Sequence, residues 1–469
     1  MRKALLFVFM TMLGLSASAD KLETYPAPKG APLNGDFTVK VRQQGDKAWR
    51  DVAAYAWNVD KVIGSGHHTE VSSVAYFCFE GKVEVSVTAN KGKINTCRVR
   101  PLSYNIDKVV TGNTITFTLD RPRNLSVEVN GDIYHNLQLF ANPILPKVKK
   151  GKRVVYFAPG YHELKEQLVV KSGQTVYLAG GAFVEGTISV WQANNVKVIG
   201  PGIVNPRKAR EGIMIRYSKN VEINGPITTQ IPVGGCDSVS VNNAKVISWY
   251  GWGDGMNVFA SNNISYNHVF CRTSDDCSTI YCTRKDYHGG CRNIRINDAV
   301  YWADVAHPIM IGLHGDIDKN EVIEDVVYND IDILQQAENQ IDYQGCIGIN
   351  DGDNNLCRNI LFQNIRIEEL TKGMLFNFRV CYNKKYCHAP GRGIHDITLR
   401  NISYNGTNAN MSVMTGYDST RVIKNIRFEN LVINGNRISD TMAGKPKWYK
   451  TSDMANIFVG DHVEGVTFE

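Results

Sequence analysis

One short phrase recurs along the last two-thirds of the chain: Asn or Asp, an apolar residue, any residue, an apolar or aromatic residue, any residue, then Asn, Gly or another turn-former. It reads NVKVIG from Asn195, NVEING from Asn220, NISYNH from Asn263, NIRIND from Asn293, NILFQN from Asn359, DITLRN from Asp396 and NIRFEN from Asn425. Weaker copies are SVSVNN from Ser238 and DVVYND from Asp325. A period of two puts the apolar side chains on one face of a strand. Asn tolerates the left-handed conformation and hydrogen-bonds neighbouring backbone, so it suits the bends. One such unit cannot bury its apolar face alone, but a stack of them can. Leucine-rich repeats need a leucine spacing that is missing here, and segments with a helical period are scarce. The phrase therefore predicts a right-handed parallel β-helix of roughly ten coils, with loops of unequal length on a common rung. The Asn-x-Ser/Thr triplets at Asn263, Asn401 and Asn405 read as rung punctuation, not glycosylation sites.

Residues 20–145 have another texture. Alternating runs at 37–41, 74–79, 83–87, 114–119 and 125–129 are separated by Asn34-Gly35, Glu80-Gly81 and Asn130-Gly131. Many short strands with Gly and Asn punctuation predict an antiparallel sandwich. Two prolines, Pro143 and Pro146, and the basic run 147–153 mark the boundary. The expected fold is all-β: a β-sandwich over 20–145, then a right-handed parallel β-helix over 146–469. His67-His68 is read as a solvated loop pair, and nothing in the sandwich as catalytic.

Residues 1–19, MRKALLFVFMTMLGLSASA, combine two basic residues, a short apolar run and a small-residue end. This is the pattern of a cleaved export signal, and the run is too short to span a bilayer. A periplasmic or secreted protein is expected, monomeric and without a membrane span. Losing Arg2 and Lys3 lowers the formal charge from +6 to +4, and no basic stripe interleaved with aromatics points to nucleic acid. Eleven cysteines in an exported chain imply buried thiols or one or two disulfides, with at least one left over. No CxxC or HxxxH pair suggests zinc.

Chemistry concentrates in residues 251–280, GWGDGMNVFASNNISYNHVFCRTSDDCSTI. Asp254 is separated from Asp275 and Asp276 by about one coil, so the two acidic positions become neighbours up the wall, about 4.8 Å apart in the backbone. Like charges resist joint ionisation, so three converging carboxylates do little for stability. They suit general acid and base work on a glycosidic bond, with no metal and no cofactor. In inverting hydrolysis the two carboxyl groups stand about 6.5–9.5 Å apart to admit a water, and retaining chemistry, at about 5–5.5 Å, stays open on the sequence. Asp254 before Gly255 is alone a common turn; the pair one coil later makes it functional. Trp252, two residues from Asp254, is read as stacking on sugar. The loop Asn350-Asp351-Gly352-Asp353 lacks a calcium-loop ligand pattern and is read as a solvated turn.

The stretch W-G-D-G-M-N followed by S-D-D-C-S resembles the active-site region of glycoside hydrolase family 28, the polygalacturonase-like hydrolases. In that family N-T-D-G is followed one coil later by G-D-D-C. The stretch LSVEVNGDIYHNLQLFANP from Leu125 looks like family 49, the dextranase and isopullulanase family of the same clan, which joins a β-sandwich to a β-helix. The resemblance implies an inverting hydrolase, and the long groove of a β-helix suits a polysaccharide; endo action is expected, with endo against exo set by the loops that close the cleft ends. It makes Asp275 the general acid and Asp254 with Asp276 the residues that activate water. His307, in Ala306-His307-Pro308, is the nearest match to the family's Gly-His-Gly and is expected to orient the acid or touch sugar; His314 competes with it. The family 28 Arg-Ile-Lys motif has no clean copy. Arg379, in Asn377-Phe378-Arg379-Val380, supplies the arginine without the lysine, which points to a neutral α-glucan ahead of polygalacturonate or a red-algal galactan. Two rivals remain: a polysaccharide lyase, needing calcium and a basic residue, and a solenoid that binds carbohydrate without turnover.

Overall fold

The computed structural model describes residues 21–64, 66–207 and 211–469. The expected export signal, residues 1–19, lies outside them. From Val154 onward the chain winds as a right-handed parallel β-helix whose walls include one ladder of eighteen strands and one of eleven.

The recurrent phrase lies on the larger ladder. Its first apolar position forms a column of Val196, Val221, Val239, Ile264, Ile294, Val326, Ile360, Ile397 and Ile426, each registered with the next and buried. The residue that opens each phrase turns the chain. From Asn195 through Asn425, Ser238, Asp325 and Asp396 included, its φ lies between 51° and 60°. That left-handed conformation costs most residues roughly 1–2 kcal/mol but Asn and Asp less. The Asn side chains also bond from coil to coil: Asn293 Nδ2 donates to Asn263 Oδ1 at 2.7 Å, Asn401 to Asn364 at 2.9 Å and Asn430 to Asn401 at 3.0 Å.

Ahead of the helix, strands between Lys21 and Pro143 form sheets of six and five strands around their own core. One pairing, Leu137–Pro143 with Gly66–Glu80, is parallel; the others are antiparallel. This sandwich docks on the outside of the helix. Tyr55, Trp57, Tyr76 and Phe140 pack against Phe183, Phe270, Val300 and Leu334, and Trp57 Nε1 donates to the Ile247 carbonyl at 2.9 Å. Trp302 lies buried between two guanidinium groups, with Arg100 4.6 Å and Arg272 4.4 Å from its ring centre. Arg272 forks onto Asp304 at 2.8 and 3.1 Å and reaches back to Asn136 of the sandwich at 2.8 Å. Removing one partner from a buried pair of this kind costs about 3–5 kcal/mol.

All eleven cysteines stand as free thiols, nine of them buried, which is the first of the two expected alternatives. Among the described residues no helix is long and apolar enough to cross a membrane.

Candidate active site

Three strands of the smaller ladder, Met256–Phe259, Ser278–Tyr281 and Ile309–Gly312, pair in parallel with Met256 against Ser278 and Ser278 against Ile309. Asp254, Asp276 and His307 each stand two residues before their strand, so they occupy one position on three successive coils. Backbone bonds hold the stack: Gly255 N donates to the Asp276 carbonyl and Cys277 N to the His307 carbonyl, both at 2.8 Å. Asp275, one residue earlier, points another way on the pleat.

Asp276 is buried at the centre. It accepts hydrogen bonds from His307 N at 3.1 Å, His307 Nδ1 at 2.7 Å and Tyr281 Oη at 3.0 Å. His307 Nε2 faces the Tyr343 carbonyl, which can only accept. Burial draws the imidazole down, but the adjacent Asp276 carboxylate outweighs it and the His307 pKa ends above its usual value. The family-like histidine is fully buried. It does not reach sugar, as one expectation had it; it holds an acid.

Asp254 and Asp275 are half-buried and face the cleft. Burial first, then the neighbouring Asp276 charge, pushes Asp275 up to about 7. Burial and the charges of Asp275 and Asp276 lift Asp254 well above the carboxylate range. Groups this close titrate as a unit. One oxygen from each of the three lies within 4.8 Å of the others, tighter than the roughly 6.5–9.5 Å carboxyl separation expected for inversion. These oxygens are also the one convergent set of His, Cys or carboxylate ligand atoms among the described residues that suits a cation.

The acids open into a cleft of about 530 Å³. Trp252 lines it as expected, 60% exposed, with φ at 65° turning the chain beside Asp254. Arg379 does not line it. It lies two coils beyond the His307 strand, registered with Asn350 below and Thr415 above. His314 lines the cleft, drawn down to about 3 by burial and then by Arg284 and His388. Asp351 and Asp353 are buried, not solvated: Asp351 accepts from Gly393 N at 2.9 Å and Asp353 from His388 N at 2.5 Å.

Several cleft residues escaped sequence reasoning. Arg284 lies in the insertion between Cys282 and Cys291, Lys385 and His388 on the loop after Val380, and Glu338 and Gln340 on the loop after Gln336. Their signal was basic and aromatic residues interleaved in long loops, Lys384-Lys385-Tyr386 above all. His67 is the larger surprise. It reaches the cleft from the sandwich on the hairpin of Ala54–Ile63 and Gly66–Glu80, where its Nδ1 bonds the buried Asp60. Asn339 Nδ2 donates to the Gly64 carbonyl at 2.9 Å and ties the hairpin tip to the helix.

Among curated proteins none matches significantly. Of solved structures, Dex49A from Penicillium minioluteum superposes with a TM-score of 0.60 at 13% identity, covering 93% of this chain and 96% of its own. A family 28 exopolygalacturonase from Yersinia enterocolitica reaches 0.49 at 12% identity, covering 82% and 96%. At such identities the first likeness speaks for the two-part fold alone. The sequence profile of glycosyl hydrolases family 28 matches residues 157–450, which hold all three aspartates and His307. With more than half of its length matched, the chain belongs to glycosyl hydrolases family 28.

Proposed function

We propose that the protein is an exported, inverting glycoside hydrolase that cuts an acidic polysaccharide within the chain. The observation that carries the chemistry is the register of Asp254, Asp276 and His307 on three coils with Asp275 beside them. In this reading Asp275 protonates the leaving oxygen. Asp254 and Asp276 take the proton of the attacking water, with Asp276 oriented by His307 and Tyr281. Trp252 offers a ring face to a sugar. A water held against Asp254 and Asp276 together, rather than midway between two carboxyls, accommodates the tight spacing.

The acidic substrate is supported by Arg284 and Lys385 on the cleft wall. They supply cations where the Arg-Ile-Lys motif is missing and Arg379 is out of reach, and an anionic sugar beside three acids needs such partners. A second reading, a neutral α-glucan of the kind family 49 cleaves, is favoured by the strand above His307. It runs Ile347–Asp351, and its one charged side chain, Asp351, is buried, so it presents no charge to the cleft.

Reducing-sugar release from polygalacturonate, dextran, pullulan and a red-algal galactan separates these readings, each tried with and without EDTA. Release from polygalacturonate, unaffected by EDTA, with a rapid fall in viscosity, is expected. Release from dextran or pullulan alone moves the substrate to the second reading, and EDTA-sensitive unsaturated products point to a lyase. Proton NMR of the first product reads the anomeric outcome, and retention there overturns inversion. On an aryl glycoside with a good leaving group, which needs little acid help, Asp275→Asn is expected to keep more activity than Asp254→Asn; the reverse order exchanges their roles.

A further inference from the structure

The loop that carries Lys385, Tyr386 and His388 to the cleft begins and ends on a cysteine. Cys381 and Cys387 are six residues apart and pack into the same small apolar cluster beside the cleft. The chain curls to bring them together: Tyr386 N and Cys387 N donate to the Asn383 carbonyl at 2.9 and 2.7 Å. Both flanks are pinned, Cys381 N to the Asp351 carbonyl at 2.9 Å and His388 N to Asp353 at 2.5 Å. A side chain at Gly352 would come within 2.5 Å of Cys387 Sγ, so the glycine leaves this sulfur its room. Cys387 is buried against Tyr343 and Leu313, while Cys381 is half-buried and open to a reagent.

We propose that Cys381 and Cys387 form a disulfide that fixes the cation-bearing wall of the cleft. The Cys381 thiolate attacks a disulfide oxidant, RSSR, giving a mixed disulfide and one RSH after the released thiolate takes a proton. The Cys387 thiolate then attacks the Cys381 sulfur, closes the ring and releases the second RSH. Two electrons pass to the oxidant, and the two thiol protons end on its two sulfurs. Other buried cysteines offer no such pair with one open member: Cys271, Cys277, Cys346 and Cys357 all lie inside the helix core. Between the two cysteines, Lys385 Nζ donates to Gln340 Oε1 at 3.2 Å and Tyr386 stacks on Tyr343 at 4.9 Å. Closing the ring removes conformations in which these residues leave the wall, so the bound geometry is prepared before substrate arrives. The acids stand on other coils. The ring therefore acts on KM and leaves kcat nearly unchanged, a consequence that rests on Lys385 being a substrate contact.

Trypsin tests the bond apart from any activity, because it cuts after Arg379, Lys384, Lys385 and Arg392 and leaves the two cysteines on separate peptides. The full protein is treated with oxidised glutathione, capped with iodoacetamide under denaturant and digested without reductant. A linked pair of peptides carrying Cys381 and Cys387, which dissociates on reduction, is expected as the dominant form. Recovery of both peptides capped or glutathionylated overturns the proposal. On the polysaccharide the protein cuts, reduction of the oxidised protein is expected to raise KM several-fold, with Cys381→Ser unresponsive to reductant. An unchanged KM, or an equal response in Cys381→Ser, overturns the link to the cleft while leaving the hydrolase reading intact.

Discussion

In the proposed reaction Asp275 concentrates the chemistry in one carboxyl group. Its value near 7 keeps a proton available at neutral pH, as a general acid requires. The acid must be protonated to act, so kcat/KM is expected to fall above pH 7 by about tenfold per unit. A profile flat to pH 9 would remove Asp275 from that role. The same shift bears on stability. The folded value lies above the roughly 3.9 of an unfolded aspartate, so the fold binds this proton more tightly than the unfolded chain does. Stability from this group is full below pH 4 and is lost as pH rises through about 7. Asp275→Asn, which cannot ionise, is expected to unfold several degrees higher than the parent at pH 8 and at nearly the same temperature at pH 4. His307 acts one step removed. Its positive charge opposes the rise in Asp275, so His307→Ala is expected to move the alkaline limb of the rate profile to higher pH. Its kcat should fall about 10–100-fold, below the effect of losing a general acid outright. A role confined to packing would lower the melting temperature and leave the limb in place.

At the scale of the element, the strand-and-bend phrase does two jobs with one residue. Asn293 holds φ at 56° and donates to Asn263 on the coil before. Asn293→Gly keeps the conformation and loses the bond, whereas Asn293→Ala loses both. Alanine is expected to cost about 1 kcal/mol more than glycine in urea unfolding; equal costs would assign the asparagine to the ladder alone. This element was legible in sequence because all its signals are local: alternation, a turn-former, and repetition. The candidate site shared that legibility where it rode on the same element. Asp254, Asp275 and Asp276 lie immediately before two successive strands, so one-coil spacing sufficed to bring them together. His307 was found through its match to a family motif, because the insertion before it blurs the coil spacing. Its depth was not legible, since neither the Tyr343 carbonyl nor the insertion from 282 to 291 has a period.

Across the whole molecule, the sandwich lines the candidate cleft as well as docking beside it. Its hairpin reaches the cleft and bonds Asn339 beside Glu338 and Gln340. His67→Ala is expected to raise KM several-fold with kcat and circular dichroism unchanged; an unaltered KM would leave the hairpin a structural prop. The sequence by itself determined the repeating wall, the order of sandwich and helix textures, and the three aspartates, because each follows from residues within one coil of one another. Tertiary structure alone decided which side chains face those aspartates. His67 stands almost 190 positions before Asp254, and it arrives only because Trp57, Arg100 and Arg272 dock the sandwich on the helix. Arg284, Lys385 and His388 arrive on loops whose lengths follow no rule. Arg379, which matched only the arginine of a motif, was carried two coils too far. Local alternation sets the stack, whereas the cleft is made by contacts between distant segments, and no local pattern encodes those.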